Sequence, residues 1–174
     1  MMLKIIALLA SGLRPIASTP DVFFVDCDTA TCSSGTLTQL DGGSGCVLTG
    51  CNTGISTASY TSLFCVTATD CKLAYFNDTA DDLIFADCNN AACTSGSVTT
   101  VDGAASCPLT GCSTTDVVGA NASLYCTASD DCKIGYYNST DTDLYFADCD
   151  TATCSSGTTT LIEGNAGCAL TGCI

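Results

Sequence analysis

Histidine and tryptophan are absent from this chain, glutamate occurs once, at Glu163, and only four basic residues stand among its 174. Each absence removes a function. Without histidine there is no imidazole for general acid–base work near neutral pH. Lys4, Arg14, Lys72 and Lys133 cannot form a basic stripe that neutralises phosphates, so nucleic acid is excluded as a partner. A net charge of −14 sets the chain against an anionic membrane surface. No run approaches the ~20 consecutive apolar residues of a membrane span. Cations, basic proteins and neutral glycans remain open as partners.

What is present is cysteine. The 16 cysteines are an even number, so all can pair. A chain this rich in cysteine belongs to an oxidising compartment, extracellular or at the cell surface, unless it binds metal. Charge does not imply disorder, because 47% of the residues are hydrophobic and can bury a core.

The cysteines recur with a 61-residue period and no slippage. Cys27, Cys88 and Cys149 are equivalent, as are Cys32, Cys93 and Cys154. Cys46, Cys107 and Cys168 form a third set, and Cys51, Cys112 and Cys173 a fourth; Cys65 matches Cys126, and Cys71 matches Cys132. Such a period marks a repeat architecture. The units are 1–41 (degenerate), 42–102 and 103–174. Each period holds four expected strands. Ser62–Thr67 and Ser123–Ala128 are the first, and Lys72–Asn77 and Lys133–Asn138 the second. The third is Val22–Cys27, Leu83–Cys88 and Leu144–Cys149; the fourth is Thr36–Asp41, Ser97–Asp102 and Thr158–Glu163. All are about six residues long and rich in β-branched and aromatic residues. The third strand is apolar on both faces and so is covered on both sides. The fourth, rich in Thr and Ser, suits a half-exposed outer strand. Four antiparallel strands per unit in this order describe an all-β, four-stranded blade of a partial, three-blade β-propeller, with a β-solenoid as the alternative.

The segment "TSLFCVTATDCKLAYFNDTADDLIFADCNNAACTSGSVTTVD", with its D-L-x4-C-x4-C-x-S-G core, resembles a blade repeat of bacterial extracellular proteins. It is distantly similar to Asp-box (BNR, sialidase-like) propeller blades. At the Asp-box place stand "SSGTLT", "TSGSVT" and "SSGTTT", without its Asp and Trp. The resemblance therefore implies a blade fold and not a sialidase, whose carboxylate substrate calls for several arginines where only Arg14 exists.

The N-terminus admits two readings. Residues 1–17 carry a short apolar stretch after Lys4, six residues against the ~7–15 of a signal peptide. Alternatively Ile5–Ala10 and Leu13–Ser18 are the first and second strands of the first unit, joined as a hairpin that continues into "DVFFVDC".

The C-x4-C and C-x5-C spacings fall at expected turns, which bring two Cα atoms within disulfide reach. Local pairs follow: Cys27–Cys32, Cys46–Cys51, Cys65–Cys71, Cys88–Cys93, Cys107–Cys112, Cys126–Cys132, Cys149–Cys154 and Cys168–Cys173. Pairing between units and zinc are the rivals, the latter without any His or CxxC. The loops "NDTADD" (77–82) and "NSTDTD" (138–143) offer hard oxygen ligands for calcium, with neither EF-hand nor RTX spacing; no cofactor is expected. Sequons stand at Asn77, Asn121 and Asn138. Neighbouring acids such as Asp81/Asp82 and Asp130/Asp131 sit on turns and imply no acid–base pair. Tyr75, Tyr136 and Tyr137 read as core or inter-blade packing. No catalytic residue is expected.

The functional expectation is a secreted or surface-displayed, non-enzymatic module for binding or adhesion, with a glycan or protein ligand. Two alternatives stand beside it: a structural or ice-binding disulfide-rich protein, suggested by T-x-T steps (Thr29/Thr31, Thr67/Thr69, Thr151/Thr153), and a fragment of a glycosidase or hydrolase propeller. Three blades cannot close a ring. The chain is therefore expected to be a homo-oligomer or part of a longer chain, with apolar blade faces left uncovered at Phe23, Val25, Tyr145, Ala147 or their opposite-face neighbours.

Overall fold

The computed structural model describes residues 4–8, 21–54, 58–164, 167–168 and 170–171. All its regular structure is β. The strands are β1 (Lys4–Leu8), β2 (Val22–Cys27), β3 (Gly35–Asp41), β4 (Ala58–Thr67), β5 (Asp70–Asn77), β6 (Asp82–Cys88), β7 (Gly96–Asp102), β8 (Val118–Ala128), β9 (Asp131–Asn138), β10 (Asp143–Cys149), β11 (Gly157–Gly164) and β12 (Gly167–Cys168). They form three antiparallel sheets ordered β1-β2-β3, β4-β5-β6-β7 and β8-β9-β10-β11-β12. Among the described residues no helix is long and apolar enough to cross a membrane.

The repeat is kept in the pairing. Lys72 stands opposite Asp87 and Lys133 opposite Asp148. Each last strand meets its neighbour through a bulge at the same place, between Val22/Phe23, Leu83/Ile84 and Leu144/Tyr145. The bulge sets the acid at the end of the last strand, Asp41 or Asp102, on the buried side, and both are almost fully buried.

The first unit departs from the expected hairpin. β1 pairs directly with β2, with Lys4 opposite Asp26 and Ile5 opposite Val25. That is the register of β5 on β6 and of β9 on β10, so Lys4–Leu8 takes the second-strand place and not the first. The reason lies in the sequence: "KIIAL" matches "KLAYF" lysine for lysine, a stronger anchor than the apolar stretch alone. The expected strand at Leu13–Ser18 lies outside the described residues, as does a leader ending at 17.

Side-chain alternation divides the middle sheet between two cores. Leu73, Tyr75, Ile84 and Ala86 pack with Val22, Phe24 and Leu40 of the first sheet. Ala74, Leu83, Phe85 and Val101 pack on the other side with Leu124, Ile134, Tyr136 and Ala147 of the third. Every residue of β6 is buried, in keeping with a strand apolar on both faces. The outer sheets are covered on one side. In the third, Tyr145 and Ala147 turn inward, Ala147 fully buried, while Leu144 is 44% exposed and Phe146 is half-buried. In the first, Phe23 and Val25 are half-buried.

The connections tie successive sheets together. Thr49, between β3 and β4, donates its N–H to Gly96 O at 3.0 Å and accepts from Val98 N at 2.8 Å, on the outer edge of β7. Thr110 repeats this with Gly157 O and Thr159 N of β11. Each connection from one unit is thus a short parallel addition to the last strand of the next.

Candidate functional site

The strand ends separate the acids into two groups. At one end, the β5–β6 and β9–β10 turns, the starts of β2, β6 and β10, the ends of β3, β7 and β11 and the connection into β8 bring together Asp21, Asp41, Asp78, Asp81, Asp82, Asp102, Asp116, Asp141, Asp143 and Glu163. No lysine or arginine among the described residues lies at this end. At the opposite end the acids are interleaved with lysine. Lys72 pairs with Asp70 at 2.7 Å and with Asp87, and Lys133 pairs with Asp131 and Asp148.

Burial first, and like charge beside it, show in the titration of the first group. Asp82 is raised to about 6, first by burial and then by the charges of Asp81 and Asp102. Asp21 is raised by burial and by Asp41. Asp102 is raised by burial, against the lowering effect of its bonds from Tyr136, Ser113 and Gly103. A carboxyl titrating near 6 is a capable proton donor, but Asp82 is only 8% exposed, and burial keeps it from a substrate.

Asp41 and Asp102 have a structural task. Tyr75 donates its hydroxyl to Asp41 Oδ2 at 2.7 Å, and Tyr136 donates to Asp102 Oδ2 at 2.5 Å. Both bonds cross from one sheet to the next. Oδ1 of each acid accepts a backbone N–H of the following connection, from Asn52 at 2.5 Å and from Ser113 at 2.6 Å. One carboxylate therefore fixes both the neighbouring sheet and the connection to it. Both tyrosine hydroxyls are held well above their ordinary titration range by burial and then by the facing aspartate. The buried tyrosines are legible as packing, but their polar bond is not, because the acid lies 34 residues away. Tyr137 is half-buried on the outer face of β9.

Seven disulfides close within single hairpins or loops: 27–32, 46–51, 65–71, 88–93, 107–112, 126–132 and 149–154. The pair 168/173 falls outside the described side chains. Asp102, Cys107 and Cys112 bring three ligand-type atoms within 4.8 Å. Both sulfurs are bonded to each other, so the group has no thiolate to give a metal.

The sequons differ in setting. Asn77 and Asn138 are buried, and their Oδ1 atoms each accept two backbone N–H groups of the turn that follows. Asn138 also donates to Asp116 at 3.1 Å. Asn121 is exposed, in a left-handed conformation on a bulge of β8. The threonines of the T-x-T steps turn toward neighbouring hydroxyls: Thr29 and Thr31 bond Ser33, Thr67 bonds Thr69, and Thr151 and Thr153 bond Ser155.

No protein-family model matches this sequence, and no curated protein is detectably similar to it.

Proposed function

We propose that the chain is a non-enzymatic, extracellular repeat module that binds a cationic protein partner through its acidic loop end, its sheets arranged as successive blades of a β-propeller. The observation that carries this reading is the segregation of charge: one end of the sheets gathers acids with no described base, while at the other Lys72 and Lys133 pair with four of the acids, Asp70, Asp87, Asp131 and Asp148. Disulfide content supports an oxidising, extracellular setting. The blade reading is supported by antiparallel meanders of three, four and five strands whose pairings recur in register and which stack face to face.

Exposed acids at the two ends provide the test. One variant carries Asp78→Asn, Asp81→Asn and Asp141→Asn at the loop end. The other carries Asp28→Asn, Asp130→Asn and Asp150→Asn at the opposite end. Both change net charge equally. Binding of an oligolysine peptide, followed by calorimetry across a salt series, is expected to weaken with salt and to fall in the first variant alone. An equal loss in both variants would reduce the effect to diffuse charge and overturn the reading.

A further inference from the structure

The chain makes one kind of joint twice and carries both halves of a third. Each joint has a plug and a socket. The plug is the sequence Leu-Thr-Gly between a cysteine pair, and the socket is the outer edge of a last strand. Leu48 is 3% exposed, buried in the core between the first and second sheets, while Thr49 pairs with Gly96 and Val98. Leu109 is 3% exposed in the core between the second and third sheets, while Thr110 pairs with Gly157 and Thr159. The glycine that follows is required by close approach: a Cβ on Gly50 would sit 2.7 Å from Val98 O, and one on Gly111 2.9 Å from Thr159 O.

The same plug occurs once more, as Leu170-Thr171-Gly172 between Cys168 and Cys173. Leu170 is 59% exposed there. The same socket also occurs once more, on β3, an edge strand of its sheet. Gly35 and Leu37 hold the places of Gly96 and Val98, and Leu37 is 54% exposed. Hence the third unit displays a plug and the first a socket.

We infer that the chain self-associates head to tail, with Leu170 and Thr171 of one copy seated on the Gly35–Leu37 edge of a second copy. The joint continues an interface the chain already builds twice. Thr171 would donate to Gly35 O and accept from Leu37 N, as Thr49 and Thr110 do. Two different surfaces meet, so the contact is heterologous and leads to a ring or an open array. It is weaker than the internal joints. Ala7 stands opposite Phe23 where Tyr75 stands opposite Ile84, so no tyrosine hydroxyl reaches Glu163 in the way Tyr136 reaches Asp102.

The test uses the full oxidised chain in sedimentation velocity from about 1 μM to about 1 mM, the range in which modest interfaces associate. Leu170→Asp spoils the plug. Leu37→Pro removes the outward N–H of the socket at an edge where proline is tolerated in a sheet. Circular dichroism and intact disulfides verify that both variants fold. The parent is expected to form oligomers that grow with concentration. Each variant alone is expected to raise the apparent dissociation constant at least about tenfold, the loss of a two-bond joint. Mixing the two is expected to restore one heterodimer and nothing larger, since only one good plug meets one good socket. A parent that stays monomeric throughout would overturn the inference. So would folded variants that associate like the parent, which would place the contact on another surface such as the outer face of β10.

Discussion

Lys72 and Lys133 hold the same place in two units and bond equivalent pairs of aspartates, Asp70 with Asp87 and Asp131 with Asp148, yet their surroundings differ. Lys72 and Asp87 have side chains 2% and 4% exposed, whereas Lys133 and Asp148 are 28% and 38% exposed. The difference follows from position in the stack, since the middle sheet is covered on both faces. Breaking a buried pair leaves a desolvated charge unbalanced; breaking an accessible one leaves a charge that water can serve. Lys72→Met is expected to cost about 3–5 kcal/mol. Lys133→Met is expected to cost under about 1 kcal/mol. Urea unfolding of both variants checks the contrast. From sequence alone the two lysines are identical, each inside "DCK" and 15 residues before its aspartate. Their inequality is a property of stacking, which a repeat pattern does not encode.

Among the elements, β8 does more than its counterpart in the sheet before. It packs across the middle sheet, with Leu124 N bonded to Ser62 Oγ of β4 at 3.0 Å and Phe64 against Tyr125. Gly119 makes the approach close: its φ is +110°, and a Cβ there would lie 2.8 Å from Leu83 Cα. Gly119→Ala is therefore expected to destabilise by at least about 2 kcal/mol, through strain and backbone displacement together. Gly135, in β9, has nothing within 4 Å of where its Cβ would be, and Ala74 already fills the equivalent place. Gly135→Ala is expected to be neutral or to stabilise by up to about 1 kcal/mol. Thermal unfolding of the two alanine variants separates these outcomes. Strand type and antiparallel order were legible for most elements, because period and turn residues agree. The place of β1 is misread when its apolar stretch is aligned on the first strand, which passes over the lysine that KIIAL shares with KLAYF; the register of Lys4 against Asp26 follows that lysine.

For the whole molecule, charge dominates. Asp82, raised to about 6, binds its proton more tightly folded than unfolded. Below about pH 4 both states hold that proton; between about 4 and 6 only the folded state does, so stability is lost as pH rises through this window. Asp21 and Asp102, also raised, act in the same sense. Asp70 and Asp131, both held low, oppose it only under strong acid. The chain is expected to be more stable near pH 5 than at pH 7. Asp82→Asn should gain about 1–2 kcal/mol at pH 7 and nothing near pH 4, as denaturant titrations at both values would show. Net charge was legible in the sequence, but its gathering at one end was not. That follows from which strand ends meet, and the bulges that place Asp41 and Asp102 inside leave no mark in composition.

The register also aligns sulfur. Cys65 lies opposite Cys71, and Cys71 opposite Cys88; Cys126, Cys132 and Cys149 repeat the row in the third sheet. Each row crosses three neighbouring strands and ends at the loop partner of its last member. A mild reductant that opens 65–71 thus releases a Cys71 thiolate beside an intact 88–93 bridge. Attack on the Cys88 sulfur forms 71–88 and expels the Cys93 thiolate, with no net oxidation. Partial reduction is therefore expected to shuffle bridges as well as remove them, and peptide mapping of a partly reduced, alkylated sample would reveal the 71–88 pair.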